Sequence, residues 1–186
     1  MYKFLEATHS SYFLAFQDLI REIQYSLEEA QDITSYLKSL VVHLDLIEKM
    51  EFANINSTFS PLFHIICLIW SHCKYYCKIS RIVVLLKEIN NLIIKRVTEF
   101  LEPKELFKLE PEEVICKLDT SMVVLNAYQN SFHDYKAKIK EYFKNGLPIR
   151  EWLFSDNVAF LRYDKFKNKL QLIKVNFELK NVFYFS

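Results

Sequence analysis

One glycine, Gly146, serves all 186 residues of this chain, and that scarcity restricts what the chain can fold into. Glycine enters left-handed backbone without penalty and lets backbone amides approach a ligand closely. A Walker-type phosphate loop needs two glycines and a dinucleotide fingerprint three, so neither can be built here. β-Sandwiches and barrels turn tightly many times and draw on glycine and proline to do so, yet only four prolines accompany the one glycine. An all-α fold is the remaining simple solution. With 51% hydrophobic residues the chain can bury a sizeable core, and its length suits one domain.

Hydrophobic periodicity divides the chain into about five amphipathic helices, an elongated helical bundle or stack of helical hairpins. Phe16, Ile20, Ile23, Leu27, Ala30, Ile33, Leu37, Leu40, Leu44 and Ile47 recur in steps of three and four. The successive threes from Leu27 to Ala30 to Ile33 predict an overwound stretch, a kink or a break. After a polar, aperiodic segment at Ala53–Ser60, Ser60-Pro61 predicts the start of a second helix, with a capping hydroxyl and proline at the first helical position. Ser80 is the expected cap of a third, with the stripe Ile82, Leu85, Leu86, Ile89, Ile93, Val97 and Phe100, ended by Pro103. Pro111, Glu112 and Glu113 open a fourth, where acids meet the positive helix end. Its stripe is Ile115, Leu118, Met122, Leu125, Tyr128, Phe132, Tyr135, Ile139 and Tyr142, stopped by Asn145-Gly146. Ser155 or Asp156 opens the last, with Tyr163, Phe166, Leu170, Ile173 and Phe177 in phase. Past Phe177 the phase fails, because Lys180 and Asn181 fall where apolar residues are due. No internal repeat marks a regular solenoid.

Lysine and arginine number 24 against 23 acids, a formal net charge of +1. No sequence-wide field therefore favours nucleic acid, an anionic membrane or an acidic substrate. Met1–Phe16 lacks the organisation of a secretory signal, and the apolar run Leu62–Trp70 is far shorter than the roughly 20 residues that span a bilayer. The expected location is the cytoplasm or cytoskeleton, where Cys67, Cys73, Cys77 and Cys116 stay reduced and the sequon Asn56-Ser57-Thr58 carries no glycan.

Several side-chain groups could carry chemistry, each against a plainer reading. His64, Cys67, His72, Cys73 and Cys77 offer metal-ligand types, but they are scattered along one largely apolar helix, whereas zinc sites usually present paired ligands from turns; packing is the preferred reading. Cys116 with His133 is an arbitrary candidate for thiol catalysis, and Glu28-Glu29 and Glu112-Glu113 suit a solvated face or a helix dipole better than acid–base work. Lys136, Lys138, Lys140, Lys144, Lys165, Lys167 and Lys169 interleave with Tyr135, Tyr142, Phe143 and Phe166 in a pattern that could stack bases. Those aromatics fall on the apolar stripe, so core packing with the lysines in water is preferred. Trp70, Tyr75, Tyr76, Trp152 and Phe154 are the expected partner contacts, because large aromatics dominate interface hot spots. No catalytic residue, cofactor, metal or small-molecule substrate is expected.

Pro61-Leu62-Phe63-His64-Ile65-Ile66-Cys67-Leu68-Ile69-Trp70 followed by Lys74-Tyr75-Tyr76 resembles the tail region of dynein heavy chains. Ser80 to Ile89 with Asn91-Leu92-Ile93 is similar to the next family helix, and Tyr142-Phe143-Lys144, Trp152, Arg162, Asp164, Phe166 and Leu170 to Ile173 resemble its continuation. Upstream, Ser10-Ser11-Tyr12, Ala15-Phe16 and Glu28-Glu29-Ala30 also fit. The form of Cys67-Leu68-Ile69-Trp70 is more similar to axonemal, outer-arm-like chains than to cytoplasmic ones. The resemblance implies helical bundles in a non-catalytic tail that associates with heavy chains and intermediate chains in ciliary, microtubule-based movement, with the axoneme as destination and the ATPase ring far outside the segment. Cys73 and Cys77 depart from the family pattern, which weakens the metal reading. Residues 1–177 are expected to be tail-like and 178–186 a non-family end, as in a truncated product whose Phe177, Leu179, Val182, Phe183, Tyr184 and Phe185 form a sticky patch. A stand-alone helical adaptor, and a thiol- or zinc-dependent protein using the His64 to Cys77 cluster, are the alternatives.

Overall fold

The computed structural model describes residue 3 and residues 12–106, 108–147 and 149–184, with side chains to residue 179 at the C-terminal end. Among the described residues there is no strand. Five long helices carry the fold: α1 (Tyr12–Lys49), α2 (Phe59–His72), α3 (Ile79–Leu101), α5 (Pro111–Lys144) and α6 (Asp156–Tyr184); α4 (Pro103–Leu106) is a single short turn. The chain divides into two compact units, residues 1–38 and 39–186.

In the first unit the helix is continuous where the stripe changes phase at Leu27–Ala30–Ile33. Two steps of three shift the apolar face around the axis without breaking a backbone bond, and no glycine or proline lies between Tyr12 and Lys49 to interrupt the ladder. Phe16, Ile20, Ile33 and Leu37 are half-buried, whereas Ile23 and Leu27, expected on the covered face, are exposed. Ser10 and Ser11 lie outside the described residues.

The second unit is built around α5, which packs against α2, α3 and α6, while α6 also lies along α3. The polar run after α1 is a 3-10 helix, Phe52–Thr58, and α2 begins at Phe59, ahead of the expected Ser60. The cap is Thr58, whose hydroxyl donates instead to Ile55 O at 2.6 Å, and Pro61 falls in the first turn, where a missing amide leaves no bond unmade. Likewise α3 begins at Ile79 and Lys78 is its cap residue, so Ser80 sits inside the first turn. Glu102, with φ 48°, turns the chain left-handed ahead of Pro103.

The core is aromatic. Phe132 stacks on Trp152 with centroids 5.5 Å apart and lies 4.6 Å from Phe160, while Tyr128 meets Phe59, Phe63, Phe160 and Tyr163. Such rings add about 0.5–1.5 kcal/mol per pair beyond the area they bury. Phe52, from the 3-10 helix, stacks on Phe100 at 4.1 Å. The 21-residue stretch Phe52–His72 contains an 18-residue window of mean hydropathy 1.3, long and apolar enough by composition to cross a membrane. Burial of Phe59, Leu62, Phe63, Ile66, Ile69 and Trp70 within this unit accounts for that apolarity.

The backbone of α6 continues to Tyr184, past the point where the hydrophobic phase fails. Leu179 is exposed and Phe177 half-buried; the side chains of Val182, Phe183, Tyr184 and Phe185 lie outside the described residues.

Candidate functional site

The polar groups of the interior join helices to one another. Tyr128 OH donates to Asn90 Oδ1 at 2.7 Å, and Asn90 Nδ2 donates to Ala159 O at 3.0 Å, so α5, α3 and α6 meet at one amide. Tyr163 OH donates back across the same interface to Leu125 O at 2.8 Å. Burial pushes both tyrosine hydroxyls above their ordinary range, with Tyr128 and Asp164 adding to the rise at Tyr163. Both therefore stay protonated donors. Asn90 was not singled out by sequence, although it sits in phase with Leu86, Ile93 and Val97. A shallow cleft between α3 and α6, lined by Lys87, Glu88, Asn91, Leu161 and Arg162, has Asn90 on its wall, but both ends of that amide are already engaged.

A second set of polar contacts runs down the outer seam of the α5–α6 hairpin. Lys174 pairs with Asp119, Gln129 Nε2 donates to Asp164 Oδ1 at 3.1 Å, and Lys167 Nζ donates to Gln129 Oε1 at 2.7 Å. At the connected end of the hairpin Lys136 pairs with Asp156 and donates to Phe154 O at 2.8 Å. The residue numbers fall on α6 as they rise on α5, which is antiparallel packing in one fixed register. Across the unit, Trp70 Nε1 donates to Arg150 O at 2.7 Å, tying the α5–α6 connection to the end of α2.

Of the five aromatics expected to meet partners, Trp70, Tyr75 and Trp152 are buried, and only Tyr76 and Phe154 keep part of their rings at the surface. Trp152 stacks 6.1 Å from Phe154. The metal-ligand types do not converge: Cys67 and Cys73 are buried, His64 and His72 are exposed, and Cys77 donates to Lys74 O at 2.8 Å. Among the described residues no group of three His, Cys, Asp or Glu side chains could hold an ion. Burial pushes the Cys67 thiol up, away from the nucleophilic thiolate. Cys116 and His133 lie on the same helix, seventeen residues apart and so roughly 25 Å along its axis, and His133 Nδ1 instead faces Asp156 Oδ2 at 3.4 Å. Glu112 and Glu113 stand exposed in the first turn of α5. Among the lysines, Lys136 and Lys167 are engaged in the seam, while Lys140, Lys144, Lys165 and Lys169 face water. Tyr135 and Phe166 are half-buried, but Tyr142 and Phe143 are exposed, contrary to the core position expected for them. The α5 stripe outruns the helices that cover it.

These features define an all-α packing unit whose buried polar groups hold helices in register. The family model for "Dynein heavy chain, N-terminal region 1" matches residues 1–184, beyond the Phe177 limit of the sequence resemblance. The chain is 40% identical over 178 residues to "Dynein beta chain, ciliary" of Tripneustes gratilla, which covers 96% of this chain and 4% of the relative. It is 37% identical over 174 residues to "Dynein axonemal heavy chain 9" of Homo sapiens, covering 94% and 4%. With "Dynein beta chain, flagellar outer arm" of Chlamydomonas reinhardtii it shares 33% identity over 165 residues, covering 88% and 4%. The chain belongs to the dynein heavy chain N-terminal region family, and it spans about 4% of the length of these relatives.

Proposed function

We propose that this chain is a non-catalytic segment of a dynein heavy-chain tail that supports heavy-chain association and intermediate-chain binding in microtubule-based ciliary movement. The observation that carries this reading is the family match over residues 1–184, joined by relatives whose names are ciliary, axonemal or flagellar. The interior agrees with a packing role, since Asn90, Tyr128 and Tyr163 bond helix to helix. The segment acts by surface complementarity, in the cytoskeleton and the axoneme. Affinity purification of the tagged chain from ciliated cells tests this: dynein heavy and intermediate chains are the expected co-purifying proteins. Recovery of neither, from cells in which both are abundant, would overturn it in favour of an independent helical adaptor.

A further inference from the structure

The C-terminal end of α5 stands clear of the bundle. Ile139 is the last buried residue of the helix, and every residue from Lys140 to Leu147 is exposed. Three of these are large and apolar: Tyr142 at 41%, Phe143 at 53% and Leu147 at 47% exposure. The backbone beneath them is closed by a hydrogen-bonded stop. Gly146, at φ 77°, takes the left-handed position of a helix stop in which Gly146 N–H bonds Phe143 O and Leu147 N–H bonds Tyr142 O, each at 3.1 Å. This six-to-one, five-to-two closure fixes Leu147 over the turn that carries the two rings. The following connection is fastened by the bond from Trp70 to Arg150 O.

The charges around this apolar end have one predominant sign. Lys138, Lys140, Lys144 and Arg150 flank it in sequence against the two acids Glu141 and Glu151, in a chain that is otherwise nearly neutral. By helical spacing Lys140 and Lys144 share one face of α5, with Phe143 between them in sequence, while the Lys138 amine lies over the Tyr135 ring, 4.9 Å from its centroid and further back along the helix. An occupant must bring apolar surface and negative charge together in a compact footprint. A single strand of nucleic acid is served by a basic groove that tracks several nucleotides, and these cations end within two helical turns. A bilayer surface is met by a long helix lying flat on it, and here the helix stops. We infer that the tip formed by Tyr142, Phe143 and Leu147, with its lysine collar, docks an acidic amphipathic helix of a partner protein. This surface belongs to the chain itself and does not depend on the dynein-assembly reading.

Selection from a displayed library of random-sequence helical peptides against the full chain tests the inference. The expected winners carry net negative charge with apolar residues at i, i+3 and i+4. A synthetic copy of a winner should lose at least tenfold in affinity on the double variant Tyr142→Ser, Phe143→Ser, and again on the charge reversal Lys140→Glu, Lys144→Glu. These residues are exposed, so unchanged circular dichroism is expected for each variant. Binding should also weaken as salt rises from 50 to 300 mM. Neutral or basic winners, no enriched peptide, or winners that bind both variants equally well would overturn it. So would tighter binding of oligodeoxythymidylate or of phosphatidylserine vesicles than of the acidic peptide to this tip.

Discussion

Tyr128 and Asn90 meet in the interior at 2.7 Å, hydroxyl to amide oxygen, and that bond joins the central helix α5 to α3. Because Asn90 passes a second bond to Ala159 O, one amide connects three helices. Replacing Tyr128 by Phe leaves the Asn90 oxygen buried without this donor, at a cost of about 1–3 kcal/mol. Asn90→Leu strands the tyrosine hydroxyl and should cost a similar amount or more. In urea unfolding the double variant Tyr128→Phe, Asn90→Leu should destabilise by less than the sum of the singles, with a coupling of about 0.5–3 kcal/mol. Strict additivity would mean the pair does not act as a unit.

The same tyrosines make stability sensitive to alkali. Burial raises the folded-state titration of Tyr128 and Tyr163 above the ordinary value of about 10. A group whose folded pKa is raised contributes stability that is fully present below its unfolded pKa and is lost as pH rises toward the folded one. Stability should therefore be insensitive to these groups at neutral pH and fall above about pH 10. The measurement is the unfolding midpoint against pH for the wild type and for Tyr128→Phe, Tyr163→Phe; the variant's curve should be flatter in the alkaline limb.

Gly146→Ala should destabilise by about 1 kcal/mol through the backbone alone. A Cβ added there meets nothing within 4 Å, so no clash contributes, and the left-handed φ of 77° is the whole cause. Gly146→Asn, which tolerates that region better, should cost less. Thermal melts of the two variants check the order.

Trp152→Ala removes a ring packed on Phe132 and Phe154 and should cost about 3–5 kcal/mol. Tyr76→Ala and Phe154→Ala, whose rings are half-buried, should cost clearly less. If Trp152→Ala unfolded no more easily than Tyr76→Ala, the interior position of Trp152 would be wrong.

How much of this was legible in the sequence depended on whether a signal was local. The stripe from Leu118 through Tyr128 to Ile139 marks the covered face of α5, and Asn145-Gly146 marks its end, because spacing and the left-handed stop are properties of a few neighbouring residues. The 3-10 helix at Phe52–Thr58 was hidden because its turns hold three residues, so half-buried Phe52 and buried Ile55 and Thr58, in steps of three with a polar residue as the third, read as aperiodic. Asn90 reads as surface on polarity alone, yet its place in the Leu86–Ile93 stripe was the available clue. Trp70, on α2, and Trp152, in the α5–α6 connection, were expected at an interface because residue type cannot say which surface the rest of the chain already covers. Tyr142 fails for the opposite reason: its periodicity is perfect, but the neighbouring helices end before reaching it.

Density-gradient sedimentation of an axonemal extract containing the tagged chain tests the central claim most directly. A tail segment incorporated in the motor should migrate with the dynein heavy and intermediate chains, far below the position of a free 22.3 kDa protein. Recovery of the chain wholly at the top of the gradient, while the dynein chains sediment intact, would contradict the account.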